Sequence, residues 1–260
     1  MQRRFELSKR AHDQVVQRQF GEQADAYLHS VVHSAGPGLA ELAAAVAQSP
    51  RAIVLDLGCG AGHGSFQVAP LAGEVIAYDL SSEMLDVVVT AAAERKLSNI
   101  SVQQGEAERL PFADESFDFV FSRFSAHHWR DPAQALREVR RVLKPGGRIA
   151  FVDVVSPGVA LLDSYLQAVE ILRDSSHVRD YSAAEWLGMI SSAGFKVSSH
   201  CMQRMPLEFN AWIARMRTPA VMEQAIRLLQ QSVSEEIRSY FEISSDGSFS
   251  TDVIVLWAQR

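Results

Sequence analysis

The chain has 260 residues, of which 47% are hydrophobic and 22% are charged, and its formal net charge is -6. This composition is typical of a globular protein with enough apolar residues for a sizeable core. Nucleic acids and anionic lipids attract proteins through clustered basic charge, which an acidic chain does not offer in general. We therefore expect neither a nucleic-acid partner nor stable membrane association.

The two cysteines, Cys59 and Cys201, are far apart in the sequence and indicate no disulfide framework. The opening residues, MQRRFELSKRAHDQ, lack the apolar core of a signal peptide. No run of about 18 apolar residues predicts a transmembrane helix. A cytoplasmic location is expected, with no metal site, and the chain is expected to be a monomer or a homodimer.

Short apolar segments separated by longer stretches, most of them with helical signals, are the main pattern of the chain. IVLDL, VIAYD, ISVQQ, DFVFS and RIAFVDVV predict strands at residues 53–57, 75–79, 100–104, 118–122 and 148–155. Such alternation is typical of a parallel sheet with helices on both faces. Two further strands are predicted from FKVSSHCMQRM, at 195–205, and TDVIVLWAQ, at 251–259.

The helices have recognisable end signals. In DPAQALREVRRVL, Asp131 is placed to cap the helix, Pro132 suits its first turn, and LysProGlyGly at 144–147 ends it. Ser82 predicts the start of a helix from Glu83 to about Arg95. The remaining helices are predicted at about 13–33, 38–48, 159–174 and 183–193, and at 207–241 with a break at Thr218-Pro219.

The stretch VLDLGCGAGHGS follows the first strand with glycines at positions 58, 60, 62 and 64. Glycines between a strand and a helix let the backbone approach a ligand, and the helix start offers free N–H groups. The dinucleotide fingerprint requires glycine where this chain has His63, and no P-loop pattern is present. The loop predicts a nucleotide-type cofactor site; a tight turn without a ligand is the alternative.

Four motifs follow one another along the chain: LDLGCGAG (55–62), YDLS (78–81), GEAERLPFADESFDFVFS (105–122) and LREVRRVLKPGGRI (136–149). In order and spacing they resemble the motifs of the class I S-adenosylmethionine-dependent methyltransferases. Within the family, the chain is most similar to the small-molecule subgroup of ubiquinone and menaquinone biosynthesis C-methyltransferases. The resemblance covers about residues 20–155 closely and the helical segment after 206 only loosely.

The resemblance implies a Rossmann-like, doubly wound α/β fold with a seven-stranded, mostly parallel sheet and an antiparallel last strand. We expect a single domain over residues 1–260, with a helical cap (1–50), a cofactor-binding core (51–205), a helical insertion that forms a substrate lid (206–245) and a final strand (246–260). The expected cofactor is S-adenosyl-L-methionine, with S-adenosyl-L-homocysteine as the product. The expected partner is a small-molecule substrate.

The resemblance also implies which residues bind the cofactor. The glycine backbone lines the methionine moiety and Asp56 reaches its amino end, while Asp79 accepts both ribose hydroxyls. Glu106 accepts from the adenine amine, although the subgroup commonly has Asp there, and a surface acid is the alternative. The complete expected set is Asp56, Gly58, Cys59, Gly60, Gly62, Asp79, Leu80, Met84, Glu106, Ala107, Ser122, Arg123 and Tyr27.

Methyl transfer from a sulfonium needs alignment and exclusion of water more than it needs a catalytic group. A phenol, enol or ring-carbon acceptor must also lose a proton, which a base with a pKa near neutrality assists. His127 and His128 follow the fourth strand and are the candidate bases, with Asp153 a weaker candidate. Capping or hydrogen bonding within the loop is the alternative for each.

Candidate substrate-binding residues come from three segments. Phe20 resembles, with Tyr27, an N-terminal gate over the cofactor; His177 and Arg179 lie in RDSSHVRDY, and Arg215 lies in WIARMRTP. If the arginines face the pocket, an anionic or aromatic acceptor follows; solvated surface charges are the alternative. The predicted activity is C- or O-methylation of an aromatic, quinone-like or other metabolite. A cofactor-binding protein without transfer activity and, more remotely, an NAD-dependent oxidoreductase are the alternatives.

Overall fold

A computed structural model describes residues 2–21, 28 and 36–260, with side chains from residue 12 onward. Its centre is a seven-stranded sheet of order β3-β2-β1-β4-β5-β7-β6. The last strand in sequence, β7, is antiparallel to both of its neighbours, and the other pairs are parallel. The predicted fold class is therefore confirmed. The strands are β1 Ile53–Leu57, β2 Glu74–Asp79, β3 Ile100–Gln104, β4 Phe117–Arg123, β5 Leu143–Val155, β6 Lys196–Leu207 and β7 Phe249–Gln259.

Ten α-helices lie in the part of the chain that the structure describes. They are α1 Gln2–Gly21, α2 Leu39–Ala47, α3 His63–Val68, α4 Ser82–Glu94, α5 Pro132–Val142, α6 Ala160–Arg173, α7 Ala183–Ser192, α8 Phe209–Arg215, α9 Ala220–Ser232 and α10 Glu235–Tyr240. None of these helices is both long and apolar enough to cross a bilayer. The predicted cap of α5 is confirmed, because the Asp131 carboxylate accepts from the Gln134 N–H at 2.8 Å.

Several predicted element limits differ from those in the structure. Helix α1 begins at Gln2 rather than near residue 13. Helix α4 is capped by Ser81, whose hydroxyl accepts from the Met84 N–H, so the helix begins one residue before the predicted start. Strand β5 begins at Leu143, which pairs with Phe117 before the glycine turn interrupts the register. The predicted helix at 207–241 is divided twice, at the expected Thr218-Pro219 and again before Ser234, which caps α10.

Apolar side chains of alternating strand residues cover both faces of the sheet. Val54 faces the layer formed by α2, α6 and the helices between β6 and β7, whereas Leu55 and Leu57 face α5 and α7. The chain turns from β1 toward β2 on one side and places β4 on the other, which makes the β1/β4 boundary a topological switch point. In sheets of this kind ligands bind at the carboxyl ends of the strands beside that point.

Candidate active site

A cavity with an empty volume of about 1060 Å³, including its open mouth, lies at the carboxyl ends of β1, β2 and β4. We call it the glycine-loop cavity. Residues that line it and that the sequence singled out are Phe20, Asp56, Gly58, Cys59, Gly60, Asp79, Leu80, Met84, Glu106, Ala107, Arg123 and His128.

The glycine loop is held against the end of β2. The N–H groups of Gly58 and Cys59 donate to the Tyr78 carbonyl at 2.8 and 3.1 Å, and the Gly60 N–H donates to Asp79 Oδ2 at 2.8 Å. Asp79 Oδ1 accepts from the Ser81 N–H at 2.9 Å. One carboxylate therefore fixes both the loop and the turn into α4.

The glycines of the loop serve different purposes. Gly58, Gly60 and Gly62 all have positive φ values, which glycine adopts without strain. A Cβ on Gly58 would lie 1.9 Å from the Ser125 hydroxyl oxygen, whereas a Cβ on Gly60 would meet no atom within 4 Å. Gly62 caps α3 and faces Phe66 rather than the cavity. Close packing therefore requires Gly58, and Gly60 leaves open space.

Two ionisable groups of the cavity lining, the buried Asp56 and the partly buried Arg123, have shifted pKa values. Asp56 is 2% exposed and accepts from the Ser65 hydroxyl at 2.7 Å, and its burial raises its pKa to about 7. Burial also lowers the pKa of Arg123 to about 10. The neighbouring Ser122 is buried in β4 but is not among the residues that line the cavity.

The far wall of the cavity is mainly apolar, with one acid at its rim. Met84 is 1% exposed and Ala107 is 9% exposed. The Glu106 carboxylate is 3.4 Å from the Arg130 guanidinium, and the Glu106 carbonyl accepts from the Tyr78 hydroxyl at 3.0 Å. Glu106 is therefore held at the cavity edge by its backbone and its side chain.

Helix α1 closes one side of the cavity through His12, Asp13, Val16 and Phe20. The Gln17 amide donates to the Leu80 carbonyl at 3.1 Å, and the Gln19 amide donates to the Met216 carbonyl at 3.0 Å. This helix thus joins the cavity to the segment between β6 and β7. Tyr27, the other predicted gate residue, lies outside the described residues.

A second, smaller cavity adjoins the first, and we call it the histidine cavity. Phe20, Phe124 and His128 line both cavities. The other residues around the histidine cavity are His127, Val154, Glu170, Arg173, Asp174, Asp180, Met205, Leu207, Trp212 and Arg215. A molecule in this space is therefore separated from the glycine-loop cavity only by the shared wall.

His127 and Asp153 form a close, buried pair. His127 Nδ1 is 2.6 Å from Asp153 Oδ1, and Asp153 Oδ2 accepts from the Ala126 N–H at 2.9 Å. Burial by itself would lower the pKa of His127, but the Asp153 carboxylate, with smaller contributions from Asp180 and Glu170, reverses this effect and raises it to about 9. At neutral pH His127 is therefore an imidazolium, which can donate a proton but cannot accept one.

His128 has the opposite character. Burial and the charge on His127 lower its pKa to about 4, so the ring is neutral at pH 7. Its Nδ1 is 3.1 Å from the Ser176 carbonyl, an acceptor, which assigns the ring proton to Nδ1 and leaves Nε2 as an acceptor. The two adjacent histidines thus differ in charge, because the Asp153 carboxylate is 2.6 Å from His127 whereas the Asp174 carboxylate is 4.0 Å from His128.

Of the other predicted substrate residues, one lines a cavity and two do not. Arg215 lines the histidine cavity. His177 lines neither cavity; its ring Nε2 donates to Gln167 Oε1 at 3.0 Å. The Arg179 guanidinium lies between the carboxylates of Asp163 and Glu185, 3.1 and 3.6 Å away, and is also absent from both linings.

Sequence reasoning missed several residues of the histidine cavity. Phe124 directly follows β4 at φ 52, a backbone conformation that is unusual for a bulky residue and often marks functional sites. In the sequence, its place directly after a predicted strand was the feature that could have marked Phe124 as a site residue. Asp180 lies within the RDSSHVRDY stretch, where nothing in the sequence distinguishes it from a surface acid, and Glu170 and Trp212 have the pattern of ordinary helix residues.

The sheet order, the glycine loop at the switch point and the acid that ends β2 define the class I, Rossmann-like methyltransferase architecture. Residues 55–151 match the family model described as a methyltransferase domain. The chain belongs to the S-adenosylmethionine-dependent methyltransferase family.

Relatives extend the similarity over most of the chain. YafE of Escherichia coli, an uncharacterized protein, is 52% identical over 199 residues, which are 76% of this chain and 96% of the relative. YcgJ of Bacillus subtilis, an uncharacterized methyltransferase, is 36% identical over 86% of this chain and 89% of its own length. Its crystal structure has a TM-score of 0.80 and covers 85% of this chain and 98% of that chain. Demethylmenaquinone methyltransferase of Listeria monocytogenes is 34% identical over 141 residues, 52% of this chain and 60% of the relative.

Proposed function

We propose that the chain binds S-adenosyl-L-methionine in the glycine-loop cavity and methylates a small-molecule acceptor held in the histidine cavity. The observation that carries this proposal is the wall of Phe20, Phe124 and His128 that the two cavities share. In-line transfer requires donor and acceptor to meet at near-attack distance without water between them. Cavities that share lining residues are adjacent, which supports a donor in one and an acceptor in the other that meet at this boundary.

The residues of the glycine-loop cavity fit the cofactor. Gly60 leaves open space beside the backbone, and Asp79 supplies a fixed carboxylate whose oxygens have lone pairs beyond those that accept from Gly60 and Ser81. In the proposed complex Asp79 accepts the ribose hydroxyls, Leu80 and Met84 pack on the adenine, and Glu106 with the Ala107 N–H bonds its edge. Asp56 and Arg123 lie toward the methionine end. When bound, the cofactor supplies an electrophilic methyl group on a good leaving group.

The histidines contribute opposite functions to an acceptor that must lose a proton. His127, held as an imidazolium by Asp153, donates from Nε2 to an acceptor oxygen and so favours its ionised form. His128 is neutral and offers Nε2 as a hydrogen-bond acceptor in the shared wall. This division replaces the expectation that either histidine serves equally as a base: a protonated His127 cannot be one. The pair suits C- or O-methylation of a phenol, enol or quinol, and the name of the Listeria relative supports a quinone-like acceptor.

The segment 206–245 serves as the substrate lid in this proposal. Trp212 and Arg215 of α8 line the histidine cavity, and the Thr218 hydroxyl donates to the Arg173 carbonyl at 2.9 Å, which ties the segment to α6. Phe20 of α1 closes the opposite side. Both elements exclude water from the shared wall when they are in place.

Cofactor binding is tested by calorimetric titration of the native chain, Asp79→Ala and Asp86→Ala. Asp86 is exposed on α4 and serves as the matched control. Hydrogen bonds to a charged group contribute about 1.5–3 kcal/mol each, so loss of the Asp79 carboxylate is expected to weaken binding at least tenfold. Native affinity in Asp79→Ala, or no binding by the native chain at millimolar cofactor, would refute the proposal. Radiolabelled methyl transfer to an extracted metabolite pool then separates an enzyme from a binding protein without transfer activity.

A further inference from the structure

Asp180 stands out among the acids of the histidine cavity because one of its oxygens is without a partner. The residue is 1% exposed, and within the part of the chain that the structure describes its Oδ2 atom has no hydrogen-bond partner. Buried polar atoms are paired in the great majority of native structures, so an exception calls for a specific explanation.

The nearest basic group does not supply that partner. His177 Nε2 is 3.9 Å from Asp180 Oδ2, beyond hydrogen-bond distance, and donates instead to Gln167 Oε1 at 3.0 Å. Burial lowers the pKa of His177 to about 2, so its ring carries no charge that could pair with the acid. The Asp180 backbone, by contrast, is fully engaged, because Gln167 accepts from its N–H and donates to its carbonyl. Gln167 therefore fixes the backbone of Asp180 beside the cavity.

The other acids around the cavity are already engaged. Glu170 pairs with Arg173 at 3.3 Å, and Arg173 also donates to the Trp212 carbonyl. Asp174 Oδ1 accepts from both the N–H and the hydroxyl of Ser176. The oxygen of Asp180 is thus the acidic group of this lining without a protein partner among the described residues.

We propose that Asp180 recognises the methyl acceptor by accepting a hydrogen bond from a hydroxyl or amino group of that molecule. This inference rests on the proposed function, because it takes the histidine cavity as the acceptor site. Asp180 lines only the histidine cavity, so the recognised group lies away from the wall where the methyl group arrives. The apolar part of the lining consists of Phe20, Phe124, Val154, Met205, Leu207 and Trp212. The proposed acceptor therefore combines an apolar body with a hydrogen-bond donor remote from the methylated atom.

Burial, followed by the charge of Glu170, raises the pKa of Asp180 well above its ordinary value. A buried carboxyl without a partner costs stability in the free protein, and a ligand with a donor removes that cost. Residues that bind ligands often carry such a cost, so their replacement by apolar residues of similar volume stabilises the fold. A residue with a purely structural role has the opposite effect.

The test uses four probes of one shape: benzyl alcohol, benzylamine, toluene and benzoate. Each is titrated by NMR into the native chain, Asp180→Leu and the control Asp86→Leu, with and without S-adenosylhomocysteine. We expect the alcohol or the amine to bind the native chain and Asp86→Leu about tenfold more tightly than toluene. The tighter binder of the two shows whether Asp180 recognises a neutral hydroxyl or a cationic amine. Asp180→Leu should abolish the preference and raise the melting temperature by at least about 2 °C.

Equal binding of all four probes to the native chain, tightest binding of benzoate, or an undiminished preference in Asp180→Leu would overturn the inference. A lower melting temperature of Asp180→Leu with unchanged probe binding would assign Asp180 a structural role and would overturn it as well. Failure of S-adenosylhomocysteine to bind counts against the proposed function. The titrations without it still decide whether Asp180 recognises a donor.

Discussion

The His127–Asp153 pair gives the most quantitative prediction. Replacing Asp153 by Asn keeps the shape of the side chain and removes the charge that lies 2.6 Å from the imidazole. Burial lowers the pKa of His127, and without Asp153 only the smaller effects of Asp180 and Glu170 oppose it, so we expect the pKa to fall from about 9 to near the ordinary 6.5. At about 1.36 kcal/mol per pKa unit, that difference corresponds to about 3 kcal/mol of interaction with the imidazolium.

The sign of the linked pH effect follows from the direction of the shift. Because folding raises the pKa of His127, the stabilisation is fully present below about pH 6.5 and is lost as the pH rises through about 9. The native chain should therefore lose stability between these pH values, and Asp153→Asn should not show that loss. The Asn variant keeps one of the two side-chain oxygens, so it loses the acceptor for either the Ala126 or the Val154 N–H group, which lowers its stability at every pH.

The assay is an NMR titration of histidine-labelled protein, with His127→Gln assigning the signal. Chemical denaturation between pH 6 and 9.5 supplies the linked free energy of unfolding. A His127 signal that titrates near 6.5 in both proteins would contradict the role given to Asp153. So would a native chain whose stability does not change between pH 6.5 and 9.

Three further outcomes follow from the cofactor side of the site. Gly60→Ala should fold, with a melting temperature lower by roughly 2–8 °C, because the positive φ costs alanine about 1–2 kcal/mol of backbone strain. Its S-adenosylmethionine affinity, measured by calorimetry, should fall at least tenfold, because the added Cβ occupies open cavity space. Gly58→Ala should be much less stable, and adding Ser125→Gly should restore part of the loss, since the clash is with that side chain; equal stability of both alanine variants would contradict this. Folding raises the pKa of Asp56 to about 7, so its contribution to the free energy of unfolding should fall by up to about 4 kcal/mol as the pH rises from about 4 through 7. Chemical denaturation of Asp56→Asn over the same pH range should show no such fall.

Much of this molecule follows from local sequence. Short apolar runs separated by helical stretches predicted the strands, because a strand buried on both faces is apolar along most of its length. The glycine spacing with His63 excluded dinucleotide and phosphate loops, because those ligands require backbone approach at other positions. Asp79 could be found as well, since an acid at the end of a parallel strand lies beside the loop of its neighbour.

The limits of the elements were less predictable. Whether Ser81 or Ser82 caps α4 depends on which hydroxyl reaches the Met84 N–H, and either residue type can do so. Leu143 extends β5 because it meets Phe117 across the sheet, a pairing between residues far apart in the sequence.

The charge states of the site were decided by tertiary structure. His127 and His128 are adjacent and identical in type, but the fold brings a carboxylate to one and a backbone carbonyl to the other, so their pKa values move in opposite directions. Asp180 is one acid among 31 acidic residues in the sequence. Only its burial beside a cavity, out of reach of His177, makes it a candidate for recognising the acceptor. Sequence thus predicted the cofactor through local motifs and the family they resemble, whereas long-range packing, which sets burial and charge proximity, formed the proposed acceptor site.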